Sequence, residues 1–157
     1  MQVLVVYYSR SGKTKKVGVD ISKELQCESE ELIDTANRSG ILGWINSGRQ
    51  ARSGAVTKLM PIQNDPSKYD MVIIGTPVWA SNMSIPVRTY LTENKDKLKN
   101  VAFFCTEGKS GDTKTFDAMS GLCGKKATAT LVVNAREISK GDYIEKVKKF
   151  ASEIKGQ

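Results

Sequence analysis

The sequence predicts one α/β domain over residues 1–157, with a five-stranded parallel sheet and at least four helices. Three observations carry this. Continuous apolar runs of about four to seven residues recur along the chain, as in strands buried on both faces of a parallel sheet. Helical apolar spacing appears between and after them. The length of 157 residues suits one domain with one core, and neither an internal repeat nor a linker interrupts it.

The first strand is "VLVVYY", residues 3–8, followed by "SRSGKT". Val17, Ile21 and Leu25 then repeat at helical spacing. A short second strand is expected around "SEELI", residues 29–33. Residues 35–68 have weak periodicity. Ile41, Leu42 and Ile45 could form the apolar face of a short helix covering the sheet. Trp44 stands beside them, either as part of that cover or near a ligand or subunit contact. The third strand is "MVIIG", residues 71–75. Ser84 and Pro86 mark a helix start, with Val87, Tyr90 and Leu91 facing inward. "VAFFC" (101–105) and "ATLVV" (129–133) supply the last two strands, and Ile144, Val147, Ala151 and Ile154 a C-terminal helix. Strand alternating with helix is the βαβ pattern, whose crossovers are right-handed.

Composition narrows the chemistry. There is no histidine, and Cys27, Cys105 and Cys123 form no CxxC pair. A zinc site and Ser-His or Cys-His catalysis are therefore not expected, and no protein residue is assigned a catalytic role. The cysteines read as reduced thiols, two of them small apolar residues in strands or at helix ends. No apolar run is long enough to span a membrane. The opening run lacks the leading basic region of a signal peptide, so a cytoplasmic protein is expected. The net charge is +7. The lysines are spread through mixed-sign segments such as "DKLKN" and "EKVKKF". They read as solvated helix faces, not as a nucleic-acid footprint.

The tail of "SRSGKT" matches a nucleoside-triphosphate loop, but that loop needs glycine where Tyr7 stands. It also needs an acid ending another strand, and "MVIIG" and "VAFFC" end in Gly75 and Cys105. What remains is a hydroxyl-rich turn from strand to helix. Ser9, Ser11 and Thr14 offer hydroxyls, and Gly12 lets backbone N–H groups converge at a helix N-terminus. That arrangement fits one terminal phosphate monoester; the alternative is a capped helix with no ligand. "GTPVWASNM" (75–83) and "CTEGKSGD" (105–112) leave the next two strands at the same edge. In doubly wound sheets, ligands bind beyond that edge. Pro77 stiffens the second loop and Trp79 offers a flat surface, unless it packs in the core. Gly108 and Gly111 allow close backbone approach in the third. A phosphate cradle with two loops able to sandwich a planar ring describes a site for flavin mononucleotide (FMN).

Here the chain resembles the flavodoxin family. The family's phosphate loop, [ST]-x-[ST]-G-x-[ST], stands as Ser9-Arg10-Ser11-Gly12-Lys13-Thr14. "GTPVW" looks like the loop against the flavin ring and "TEGKSGD" like the loop over its other side. The resemblance covers nearly the whole chain, at the length of short-chain members. It implies strand order 2-1-3-4-5 with helices on both faces. It implies that Ser9, Arg10, Ser11, Gly12, Lys13 and Thr14 hold the phosphate. Thr76, Pro77, Val78, Trp79 and Ala80 would line the ring, and Thr106, Glu107, Gly108, Ser110 and Gly111 would complete the pocket. The implied function is electron transfer through FMN. The alternatives are an NAD(P)H-dependent quinone or flavin reductase using FMN, and a non-redox binding module on the same fold. Electron-carrying flavodoxins are usually acidic and often carry an aromatic residue in the third loop. This chain is basic and has no aromatic there. "GTPVWASNMSIPV" looks nearer to flavodoxin-like oxidoreductases. The expected partner is a redox protein or small-molecule acceptor that is acidic or anionic.

Overall fold

The structure, a computed structural model, describes residues 1–36, 45–46, 49–50 and 53–156. Its centre is a parallel sheet of five strands. These are β1 (Val3–Tyr7), β2 (Glu28–Glu31), β3 (Met71–Pro77), β4 (Asn100–Glu107) and β5 (Thr130–Asn134), in the order β2-β1-β3-β4-β5. The helices are α1 (Lys13–Leu25), α2 (Ile85–Asn94), α3 (Asp112–Cys123), α4 (Ala135–Lys140) and α5 (Ile144–Lys155). The expected strand order and fold class hold.

Alternation along each strand sends side chains to two separate cores. Leu4 and Val6 of β1, Val72 and Ile74 of β3, and Phe103 of β4 pack with Val87, Tyr90 and Leu91 of α2 and Met119 of α3. Val5 and Tyr7, Met71 and Ile73, and Phe104 point the other way, onto Val17 and Ile21 of α1 and Val147, Phe150 and Ile154 of α5. This two-sided burial explains why the central strands read as unbroken apolar runs. Tyr143, just before α5, donates its hydroxyl to Asp20 of α1 at 2.5 Å and ties the two helices of that face together.

Two strands run further than the apolar runs suggest. β3 continues through Thr76 and Pro77, and β4 through Thr106 and Glu107, paired in register as Thr76 with Cys105 and Pro77 with Thr106. From sequence alone these residues read as loop, and the strand ends offer no acid for a triphosphate site. Glu107 does end β4, so that ground falls. The exclusion then stands on Tyr7, which lies inside β1 where the motif needs a glycine.

Beyond β2 the chain is paired by residues 57–64. Asp34 bridges Leu59 in antiparallel sense, and the Glu30 carboxylate accepts the N–H groups of Gln63 at 2.6 Å and Asn64 at 2.9 Å. Of the proposed covering helix, Ile45 is helical but 45% exposed. Ile41, Leu42 and Trp44 lie outside the described residues. Cys105 is buried in β4 and Cys123 ends α3, as expected of small apolar residues. Among the described residues no helix is long and apolar enough to cross a membrane.

Candidate cofactor site

α1 leaves β1 towards one face of the sheet and α2 leaves β3 towards the other. The strand order therefore reverses between β1 and β3, and a crevice opens at their carboxyl ends. A cleft of about 340 Å³ lies at this edge. It is lined by Arg10, Ser11, Lys13 and Thr14 after β1, by Pro77, Val78 and Trp79 from β3 onward, and by Thr106, Glu107 and Gly108 from β4 onward. Most of the residues chosen from sequence thus meet in one place.

The β1–α1 turn forms because Gly12 takes φ +85, a left-handed conformation at the residue before the helix. Its carbonyl accepts the Lys16 N–H at 3.0 Å and starts the helix. No side chain caps this N-terminus. The first-turn N–H groups remain available at the positive end of the helix dipole. The hydroxyls around the turn are therefore not spent on capping. The Ser9 Oγ is buried with no hydrogen-bond partner. Thr14, only 2% exposed, shares a 2.8 Å hydrogen bond with the Thr106 hydroxyl and joins α1 to β4 beneath the cleft.

The second loop is anchored at both ends. Val78 donates its N–H to the Thr106 carbonyl at 2.9 Å. The Thr76 hydroxyl accepts the Ser84 N–H at 2.9 Å and fixes the loop's return into α2. Thr76 is fully buried and braces the wall from behind instead of lining it. Trp79 and Asn82 exchange backbone hydrogen bonds of 2.8 and 3.0 Å. Between them Ala80 and Ser81 both take left-handed backbone, with φ 51 and 59. Such a turn strains residues that carry a Cβ, at a cost of about 1–2 kcal/mol each. The Trp79 ring meets Tyr8 edge-on, with centroids 5.6 Å apart and planes at 86°. Trp79 is 8% exposed and belongs to the α2-side core while also lining the cleft. Trp79 therefore packs in the core, as one reading from sequence has it, and also presents part of its surface to the cleft.

In the third loop Gly108 lines the cleft, whereas Ser110 is exposed and outside it. Gly111, at φ +125, packs on the second loop. A Cβ there would lie 2.8 Å from Val78 Cγ1 and 3.1 Å from Ser81 Cα. Ala80, exposed on the strained turn, also lies off the cleft lining. The Glu107 carboxyl accepts the Asp112 N–H. Burial first, and then the Asp112 carboxylate, hold it above its ordinary value. Burial likewise pushes the Cys105 thiol up, away from redox chemistry. Among the described residues no cluster of His, Cys, Asp and Glu could hold a metal ion.

The sequence reading missed Ala135 and Ile138, which close the cleft from α4. A signal was present. Asn134 ends β5 and caps α4 by accepting the N–H groups of Arg136 and Glu137, both at 3.0 Å. The Glu137 carboxylate accepts the Asn134 N–H in return, at 2.8 Å. That Asn-x-x-Glu capping pattern places a helix start at the same sheet edge as the other loops.

The family model described as flavodoxin matches residues 2–149. Among solved structures, a flavoprotein from Lactobacillus acidophilus, determined in complex with FMN, superposes with a TM-score of 0.74 at 23% identity. The match covers 88% of this chain and 97% of that one. A candidate flavoprotein from Bacteroides uniformis gives 0.79 at 18% identity, covering 96% and 97%. The two-electron reduced flavodoxin of Megasphaera elsdenii gives 0.62 at 20% identity, covering 96% and 99%. Comparison with curated protein sequences gives no significant match. Since the family model spans nearly the whole chain and the strand order is the one that resemblance implied, the chain belongs to the flavodoxin family.

Proposed function

We propose that the chain binds one FMN in this cleft and transfers electrons through it. The observation that carries this is the uncapped α1 N-terminus. Three hydroxyls surround it, and none of them caps the helix. One of them, Ser9 Oγ, is buried and unpartnered. A phosphate monoester supplies the acceptors such a turn lacks. Arg10 and Lys13, exposed at the turn, add positive charge. Val78 and Trp79 would face the ring, and Thr106 with Gly108 would close the floor. Glu107 would lie beside the cofactor. The dimensions fit as well, because a cleft of about 340 Å³ is within the range of small-molecule sites. The FMN, once bound, supplies the redox chemistry. The chain's own part is to fix the phosphate, shield the ring from water and set its electrostatic surroundings.

Arg10, Lys13, Lys109 and Arg136 are exposed on loops and helix starts at this edge. They support a partner or acceptor that is acidic or anionic. The three cysteines are free, which supports a reducing, cytoplasmic setting. One observation also favours an NAD(P)H-dependent reductase. Among the described residues Trp79 is the sole aromatic lining the cleft, and the third loop brings none, an arrangement that favours a nicotinamide or quinone reaching one face of a bound ring. Anaerobic mixing of the FMN-loaded protein with NADPH or NADH separates the two. The carrier reading predicts no bleaching until a reductase is added. Rapid bleaching by the nicotinamide alone establishes the enzyme reading instead.

A further inference from the structure

Glu107 is placed unlike any other acid in the protein. It ends β4 and lines the cleft beside Thr106 and Gly108. Its carboxyl is anchored by the Asp112 N–H, in the first turn of α3. The second oxygen, Oε2, is buried and has no hydrogen-bond partner. An acid meant only to cap α3 would leave its free oxygen in water. This one leaves it buried, on a residue that lines the cleft, where a missing partner is costly.

Among the described residues, few groups share the cleft with it. From α3 comes the Asp112 carboxylate, a like charge. From β3 onward come Pro77, Val78 and Trp79, none of them charged, and from α4 Ala135 and Ile138. From the β1–α1 turn Arg10 and Lys13 line the same cleft, both exposed to solvent. In its own loop Lys109 is exposed. A carboxyl with a buried oxygen, a like charge beside it and well-hydrated cations beyond is poised to give up its charge when another negative charge arrives.

We propose that Glu107 binds a proton when negative charge reaches the cofactor held in this cleft, coupling protonation of the protein to electron uptake. The proposal rests on the FMN reading above. The electron comes from a one-electron donor and the proton from solvent. The carboxylate becomes a carboxylic acid: its O–H bond forms as an O–H bond of a solvent hydronium ion breaks, and no other bond of the side chain changes. Reoxidation returns the proton to water. Between the two values at which Glu107 titrates, with the cofactor oxidised and reduced, electron uptake is linked to protein-borne proton uptake. Outside that window it is not.

The test compares wild type with Glu107→Gln, which has the shape of the protonated acid. FMN affinity is measured first, by quenching of FMN fluorescence. The midpoint potential is then followed from acid to alkaline pH by anaerobic titration with a chemical reductant. Below the window both side chains are neutral, and the two potentials should coincide. As pH rises, ionised Glu107 disfavours the reduced state in wild type alone. The potential of Glu107→Gln should then exceed that of wild type by a growing amount that levels off, with each tenfold in the equilibrium equal to about 59 mV. A difference that is the same at every pH, zero included, overturns the proposal and leaves FMN binding standing. Wild type that binds no FMN overturns both. Should Glu107→Gln fail to fold, the Glu107 carboxyl is followed by carbon-13 NMR in oxidised and reduced wild type. Its titration midpoint should rise on reduction, and an unchanged midpoint refutes the coupling.

Discussion

Thr14 and Thr106 allow stability and cofactor affinity to be separated by a pair of substitutions. Their hydroxyls share a 2.8 Å hydrogen bond, and the residues are 2% and 6% exposed. Thr14→Val keeps the shape of the side chain but leaves the Thr106 hydroxyl buried without that partner, which costs about 1–3 kcal/mol. Thr106→Val does the same to Thr14. Making both changes removes donor and acceptor together and is close to neutral. The double-mutant cycle on the FMN-free protein should therefore show strong non-additivity, with a coupling of about 2–3 kcal/mol. For a domain of this size, 2 kcal/mol lowers Tm by roughly 4–8 °C. FMN affinity should follow a different rule. Thr14 lines the cleft and its hydroxyl can donate to a phosphate, with Thr106 donating to Thr14 in turn. Loss of that charge-assisted bond costs about 1.5–3 kcal/mol, or roughly 10- to 150-fold in Kd. Thr14→Val and the double variant should both lose it, while Thr106→Val should lose much less. Urea unfolding and quenching of FMN fluorescence measure the two quantities. A double variant with wild-type stability and weakened FMN binding is the expected result. Additive stability losses, or unchanged affinity in Thr14→Val, would refute the reasoning.

Gly111→Ala meets a left-handed φ of +125 and the Ser81 backbone at 3.1 Å. It should cost about 1–3 kcal/mol of stability and weaken FMN binding by shifting the second loop; a wild-type melting curve would show that the two loops are not locked together. Trp79→Phe should shift the flavin absorbance bands and lose about 0.5–1.5 kcal/mol of ring contact. A drop in Tm with unchanged bands would assign Trp79 to the core alone. The Cys27 thiol is pushed up to about 11, by burial first and then by Glu28. At pH 8 its thiolate should be about a hundredfold scarcer than in unfolded chain, and alkylation correspondingly slower until urea is added; equal rates in both states would contradict this. Lys109→Glu changes the charge at the third loop by two units. At about 10 Å and an effective dielectric near 40 that is roughly 1.7 kcal/mol before screening, so the FMN potential should fall by about 70 mV at low salt. An unmoved potential would place Lys109 too far from the ring to matter.

The parts of this fold that read clearly from sequence are those where burial acts on both sides. Central β1, β3 and β4 bury both faces and leave apolar runs. Edge strand β2 has the sequence Glu-Ser-Glu-Glu, and only its neighbours suggested it, two residues off at its far end. The helix after β4 was harder still. Thr115, Met119 and Cys123 are its buried residues, four apart, but a threonine and a cysteine do not register as an apolar stripe. The β1–α1 turn was legible because Gly12 and its hydroxyls are a local pattern that one loop must satisfy by itself. Ala135 and Ile138 were not, since they become cleft residues only once β5 is laid beside β4. Thr76 lies in β3, buried behind the cleft, and not in a loop, because strand ends are set by pairing with the neighbouring strand, which an apolar run does not record. The strain at Ala80 and Ser81 has no sequence signal, since neither residue type announces a left-handed turn.

The central claim is that the turn from Ser9 to Thr14 is a phosphate cradle serving a flavin cleft. Titrating the ligand-free protein with FMN and, separately, with riboflavin tests it most directly, because the two ligands share a ring and a ribityl chain and differ only in the phosphate. Quenching of flavin fluorescence gives both affinities and the stoichiometry. The account predicts one FMN per chain and much weaker riboflavin binding, with the gap closing as free inorganic phosphate is raised. Equal affinities for the two flavins, or no quenching by either, would contradict it.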